Sequence, residues 1–136
     1  MLVVGRGSSD PDANSDFVKL ARLLWEYLHA TGRPFPVDWV EECFIGITEP
    51  DLDAGLEHCV RAGARRVYVL PYFLFTGVLM QRIRRRVSEW AGFHPGVRFY
   101  LAGTRGIGEH PAVVEIFVQR AREAAAGPVF APDRNK

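Results

Sequence analysis

Apolar runs and amphipathic stretches alternate along the chain with a regular period. Met1–Val4 is uninterruptedly apolar, as a strand buried on both faces would be. Phe17, Leu20, Ala21, Leu24 and Leu28 then recur at three- and four-residue intervals and predict a helix from about Pro11 to Ala30. Thr31-Gly32-Arg33-Pro34 ends it, because glycine terminates helices and proline cannot continue them. A second strand falls within Val37–Ile47, where Trp39, Val40, Cys43, Phe44 and Ile45 gather. Glu49-Pro50-Asp51 opens a second helix with Leu52, Leu56, Cys59 and Val60 on one side, and Gly63 stops it. Arg66–Pro71 reads as a third strand and Val97–Ala102 as a fourth. Between them an aromatic loop runs to Gly77, and Leu79, Ile83, Val87 and Trp90 mark the inward side of a third helix. Val113, Val114, Phe117, Val118 and Ala121 trace a fourth.

Strand followed by helix, four times over, predicts a single α/β domain across residues 1–126. The expected form is a three-layer sandwich around a four-stranded parallel sheet of order 2-1-3-4, with right-handed crossovers. Residues 127–136, small, proline-containing and then polar, read as a loose C-terminal tail. In an open sheet of this kind ligands bind beyond the carboxyl ends of the strands, where the strand order reverses. Here the reversal lies between strands 1 and 3. The loops at that edge are Gly5–Asp10, Gly46–Pro50, Pro71–Gly77 and Gly103–Pro111.

Composition narrows the ligand. The net charge is +1 over 136 residues and the basic runs are short, which argues against a nucleic-acid partner. No apolar run approaches the ~20 residues of a membrane span, and no signal peptide is visible. Cys43 and Cys59 lack CxxC spacing and read as buried free thiols of a reducing cytoplasm. The first strand starts at Met1 with almost no lead-in, so the chain is expected to be one half of a longer protein.

The two loops flanking the reversal carry the candidate chemistry. Arg6, Gly7 and Ser8 supply a cation, backbone donors and a hydroxyl ahead of a helix whose first turn is set by Asp10 and Pro11. Tyr72, Phe73 and Phe75 supply aromatic surface, with Thr76 and Gly77 closing the loop. Together they suit a flat organic ligand bearing anionic groups. Arg82 lies within two turns of that edge, where it can meet carboxylates, although Arg82, Arg84, Arg85 and Arg86 also fit a solvated helix face.

Other motifs fail at defined positions. Gly5-Arg6-Gly7-Ser8-Ser9-Asp10 has an aspartate where a dinucleotide fingerprint needs its third glycine. Asp10-x-Asp12-x-Asn14 begins like a calcium loop, but Ser15 replaces the turn glycine and Ala21 the bidentate glutamate. Histidine-nucleophile phosphatases have a similar Arg-Gly-Ser loop, yet no histidine is present here. No Ser-His-Asp set can be assigned by spacing. Of His29, His58, His94 and His110, only His110 lies in an edge loop, so it is the one candidate metal ligand, with a local helix cap as its alternative role.

Three blocks of the sequence resemble the sirohydrochlorin cobaltochelatase and ferrochelatase family, which is similar to class II chelatases. They are Val4-Gly5-Arg6-Gly7-Ser8-Ser9-Asp10-Pro11-Asp12-Ala13-Asn14, then Cys43-Phe44-Ile45-Gly46-Ile47 with Glu49-Pro50, then Val69-Leu70-Pro71-Tyr72-Phe73-Leu74-Phe75-Thr76-Gly77. The resemblance implies parallel α/β domains that insert a divalent metal (cobalt, iron or nickel) into a tetrapyrrole without ATP, in cobalamin or siroheme biosynthesis. It implies no tightly bound cofactor, and a carboxylate-rich macrocycle held between paired domains. It also implies two metal-ligating histidines, and at those positions this chain has Arg6 and Leu79. Neutral imidazole suits these metals, whereas arginine stays cationic and cannot replace it. In this respect the chain is most similar to the histidine-lacking second half of the long two-domain form.

Two functions are therefore expected of such a chain. One is a metal chelatase, a lyase, in which Arg6, Ser8 and Arg82 hold carboxylates and Tyr72, Phe73 and Phe75 line the macrocycle. Glu41, Glu42 or Glu49 would accept the pyrrole protons, with strand parity favouring Glu42. The other is a catalytically silent tetrapyrrole-binding or pairing domain completing the cleft of a histidine-bearing partner. A homodimer or a paired chelatase domain is expected in both cases, because exposed aromatics at 71–77 make an apolar patch.

Overall fold

The structure is a computed structural model and describes residues 1–32, 35–103 and 105–127. Arg33, Pro34 and Thr104 of the expected helix stop and fourth edge loop, and all of the expected tail but Gly127, lie outside the described residues. The elements follow as β1 (Leu2–Gly5), α1 (Pro11–Ala30), β2 (Glu41–Phe44), α2 (Leu52–Arg61), β3 (Arg66–Pro71), α3 (Val78–Phe93), β4 (Arg98–Leu101), a short 3-10 turn (Ile107–Glu109) and α4 (Pro111–Ala125). The strands pair in parallel in the order β2-β1-β3-β4, as the alternating pattern predicts.

Why these residues fold so is visible at the helix starts and in the side-chain parity. The Asp10 carboxylate accepts from the Asp12 N–H, with Pro11 opening α1. The Asp51 carboxylate accepts from Ala54 N–H and caps α2. Leu2, Val4, Cys43, Val67 and Val69 point to one face of the sheet, where Leu56 and Cys59 of α2 and Ile83 and Val87 of α3 cover them. Complete burial of a side chain such as Leu56 or Ile83 contributes about 1.5–3 kcal/mol relative to exposure. Asp53 of α2 clamps the two helices: it accepts from Arg86 Nε at 2.5 Å and from Trp90 Nε1 at 2.8 Å.

The opposite face carries Val3 and Phe44 against Phe17 and Ala21 of α1, with Leu20, Leu24 and Val40 alongside. No residue of α4 is buried. Two boundaries differ from expectation. β2 is four residues long, because Val37–Val40 lead up to the sheet without pairing in it. In α3 the inward set is Met80, Ile83 and Val87, while Leu79 is only half buried. Leu79 sits in the first helical turn, where α3 overhangs the carboxyl end of the sheet, and this exposure makes it part of the site.

Candidate functional site

At the carboxyl edge the first two loops are stitched to each other. Ile45 N–H donates to Gly5 O at 2.9 Å and Gly46 N–H to Arg6 O at 2.8 Å, carrying the β1–β2 ladder past the strand ends. A Cβ on Gly46 would lie 2.3 Å from Arg6 O, so only glycine fits there. Gly7 has φ of +85°, which glycine adopts freely, and a side chain on it would meet Thr48. Ser8 N–H donates to Asn14 Oδ1 at 2.9 Å and to Thr48 Oγ1 at 3.0 Å, while Thr48 Oγ1 and Asn14 Nδ2 donate back to Ser8 O.

At the start of α1 the Asp10 carboxylate accepts from Asp12 N–H, and Ser8 Oγ accepts from Asp10 N–H at 3.0 Å. What the first loop offers outward is the Arg6 side chain, which is exposed and has no carboxylate partner among the described residues.

Arg6, Gly7, Ser8, Gly46, Ile47 and Leu79 line a cleft of about 740 Å³. One wall is the cationic, hydrogen-bonded loop pair, and the other is the first turn of α3. Ile47, 80% exposed, and Leu79 make part of the lining apolar, and Val78 and Phe75 are exposed outside it. Beside this cleft lies a second cavity of about 380 Å³, into which Arg82 and Arg85 project together with Asp51, Asp53, Arg86 and Glu89. Arg86 is spent on Asp53 and Glu89, but Arg82 and Arg85 have no ion pair among the described residues. The site therefore has three available guanidinium groups, Arg6, Arg82 and Arg85, beside apolar surface.

The other candidates fall elsewhere. Tyr72 points to the α1 face of the sheet, its ring 5.8 Å from that of Phe17, so it lines a groove beside α1 instead of the cleft. Phe73, the next residue, turns to the other face and packs on the α2–α3 core. Phe75 remains exposed on a loop backed by the 3-10 turn, with Ile107 N–H donating to Phe73 O and Gly108 N–H to Leu74 O. Thr76 and Gly77 are exposed, Gly77 preceding the first turn of α3 without a side-chain cap.

Of the candidate bases, Glu42 pairs in register with Val3, roughly 13 Å of strand short of Gly46. It shares the α1 face with Phe44, the face away from α3 and the cleft. Glu41 stands at the amino end of β2, with His58 Nδ1 3.1 Å from its Oε2. Strand position places neither in the cleft lining. Glu49 alone is at the edge, exposed, with Oε2 accepting from Asp51 N–H at 3.0 Å. His110 caps α4, its Nδ1 accepting from Ala112 N–H at 3.2 Å, and is not part of the cleft. Among the described residues no group of three or more His, Cys, Asp or Glu side chains is gathered around one point as a metal site would require. Sequence reasoning missed Thr48, Asn14 and Arg85. A threonine two residues after Gly46 carries no signal until the two loops are seen together.

The cleft thus sits on the carboxyl edge of a parallel 2-1-3-4 sheet, cationic on one wall and apolar on the other. The chain belongs to the CbiX family, whose model matches residues 1–124. A sirohydrochlorin cobaltochelatase from Priestia megaterium is 44% identical over 129 residues, 95% of this chain and 39% of that protein. A sirohydrochlorin ferrochelatase from Bacillus subtilis (strain 168) is 36% identical over 126 residues, 93% of this chain and 44% of that protein. The sirohydrochlorin chelatase SirB from Bacillus subtilis subspecies spizizenii, solved in complex with cobalt, superposes with a TM-score of 0.74 at 26% identity. That match covers 91% of this chain and 50% of SirB. A CbiX protein from Marinobacter aquaeolei VT8 shares the fold with a TM-score of 0.70 at 23% identity, over 93% of this chain and 96% of its own. The chain thus spans less than half the length of the two curated relatives. The resemblance read from the three sequence blocks is borne out at the level of family and fold.

Proposed function

We propose that this chain is a chelatase unit acting on sirohydrochlorin, with a divalent metal (cobalt, iron or nickel) as its second substrate, in cobalamin or siroheme biosynthesis. The observation that carries this reading is the shared cleft of Arg6 and Leu79. These are the two positions that the family resemblance assigns to metal-ligating histidines, and they line one cavity of tetrapyrrole scale. One carries a guanidinium and the other an alkyl side chain, a pair that suits a carboxylate better than a metal ion.

In this account Arg6, Ser8, Arg82 and Arg85 hold macrocycle carboxylates, while Ile47, Leu79 and Phe75 meet the ring. Metal entry releases two pyrrole protons. Glu49, the one candidate carboxylate at the edge and exposed to water, would accept them one at a time and pass each to solvent. The cleft covers only one side of a flat macrocycle, and this chain spans less than half the length of the two curated relatives. A second unit, either another copy or a paired chelatase domain like the histidine-bearing half of the long form, covers the other side. No helix among the described residues is long and apolar enough to cross a membrane. Both cysteines are buried and free, the state that a reducing cytoplasm maintains, and the cytoplasm is where we place the protein.

The lack of any imidazole in the cleft favours a second reading, in which this unit binds the tetrapyrrole but leaves metal handling to its partner. An insertion assay with sirohydrochlorin and cobalt(II) separates the two. Turnover by the chain alone supports a self-sufficient chelatase. Turnover only after mixing with a histidine-bearing unit supports the second reading, and tetrapyrrole binding in neither case would sink both.

A further inference from the structure

The pairing of β1 with β2 does not stop where the strands do. Ile45 N–H donates to Gly5 O and Gly46 N–H to Arg6 O, each across 40 residues of chain. The same offset recurs once more, but through a side chain. Thr48 Oγ1 accepts from Ser8 N–H at 3.0 Å and donates to Ser8 O at 3.1 Å. Between the two kinds of tie, Gly7 turns the first loop with φ of +85°. That turn is what admits Thr48: a Cβ on Gly7 would lie 2.6 Å from Thr48 Oγ1 and 2.9 Å from its Cβ. A β-branched residue is stiff at χ1, so a hydroxyl packed this closely keeps one direction.

Asn14 serves the same residue, accepting from Ser8 N–H at 2.9 Å and donating to Ser8 O at 2.8 Å. It belongs to the first turn of α1, so it fixes the first loop only to the helix that follows it. Thr48 is the one side chain among the described residues whose hydrogen bonds join the first loop to the second. Without its hydroxyl, Ser8 N–H and Ser8 O would each keep Asn14 as a partner, so no polar group would be left unpaired. The loss would fall on the relative position of the two loops. Both of them line the cleft, with Arg6 two residues before Ser8 and Ile47 next to Thr48. Glu49 follows Thr48 directly.

We propose that Thr48 is a positioning residue for substrate binding: by holding both sides of Ser8 it locks the first loop to the second and so aims the Arg6 guanidinium at a substrate carboxylate. Thr48 itself is not part of the cleft lining, so it acts through Arg6 and not on the ligand. A guanidinium grips a carboxylate with two parallel hydrogen bonds, and that geometry tolerates little displacement of the loop that carries it. The proposal rests on the carboxylate reading of Arg6 given above and adds to it the group that sets its aim.

The test is a double-substitution cycle read by fluorescence titration with metal-free sirohydrochlorin. Thr48→Val keeps the shape and removes the hydroxyl. It should raise the Kd about fivefold, within the worth of one net hydrogen bond, without lowering the thermal unfolding midpoint. Thr48→Ala, which cannot crowd Gly7, should do the same, and Thr48→Ser, which keeps the hydroxyl, should bring the affinity back. Arg6→Gln should raise the Kd by itself, and adding Thr48→Val to it should raise the Kd no further, because the two act as one unit. Additive losses would overturn the proposal, as would Thr48→Val and Thr48→Ala chains that bind as tightly as the unmodified one. Either result leaves the carboxylate reading of Arg6 standing. An Arg6→Gln chain of unchanged affinity would overturn that reading and this proposal together.

Discussion

The sheet's α2–α3 face and its carboxyl rim use the same kinds of side chain to opposite ends. On the face, apolar groups are buried and the strong polar groups are spent on each other: Asp53 takes both Arg86 and Trp90. At the rim, three guanidinium groups and the apolar tips of Ile47, Phe75 and Val78 are left to solvent. The first arrangement stabilises the fold. The second contributes little to it, and makes sense for a ligand with carboxylates around a flat apolar ring. Substitutions on the face should thus move stability without touching ligand affinity, and those at the rim should do the reverse.

The largest expected effect is on the face. Leu56→Ala empties a fully buried position and should cost about 2–5 kcal/mol in denaturant unfolding. Affinity of the remaining folded protein for sirohydrochlorin should stay unchanged in fluorescence titration. Gly46→Ala sits at the seam between the regions. Its Cβ must displace the Arg6 carbonyl, costing about 1–3 kcal/mol as overpacking does, and it should weaken tetrapyrrole binding as well. Arg82→Gln with Arg85→Gln removes two rim cations. It should raise the Kd for sirohydrochlorin roughly tenfold, about 1.4 kcal/mol, with the unfolding midpoint unmoved and the salt dependence of binding reduced.

The smallest effect concerns pH. The Arg86 hydrogen bond holds the Asp53 carboxyl below its ordinary range; burial opposes it, and the weaker Trp90 hydrogen bond and the Arg86 charge add to the lowering. A depressed folded value means that the added stability is present above the unfolded value and lost as pH falls from about 4. Asp53→Asn should flatten the acid limb of the unfolding profile and leave binding at neutral pH as it was.

How much of this was legible in the sequence follows the same division. Helix and strand order, and even the strand permutation, come from apolar periodicity that the closed face enforces. Cys43 and Phe44 show where it fails: with both faces covered, consecutive buried residues carry no phase, so the sides taken by Glu41 and Glu42 could not be read. The edge loops were placed, and Arg6, Ser8 and Arg82 with them. Their internal bonding was not, because Ser8 meets Thr48 across 40 residues of chain. Tyr72, Phe73 and Phe75 looked like one aromatic wall in sequence, but extended backbone sends neighbours to opposite sides. The exposure of α4 was illegible for a different reason: its amphipathic pattern is that of a packed helix, yet none of its residues is buried.

The central proposal is that a cleft lined by Arg6 and Leu79 seats a carboxylate in preference to a metal ion. A fixed guanidinium ~4 Å from a metal ion costs several kcal/mol for each pair of unit charges at intermediate dielectric. Calorimetric titration of the unmodified chain and of Arg6→His with Leu79→His, each with cobalt(II) and with metal-free sirohydrochlorin, tests this directly. The unmodified chain should bind the tetrapyrrole and take up little cobalt at neutral pH, and the double variant should gain cobalt affinity while losing tetrapyrrole affinity. Tight cobalt binding by the unmodified chain that persists when both positions are replaced by alanine would contradict it.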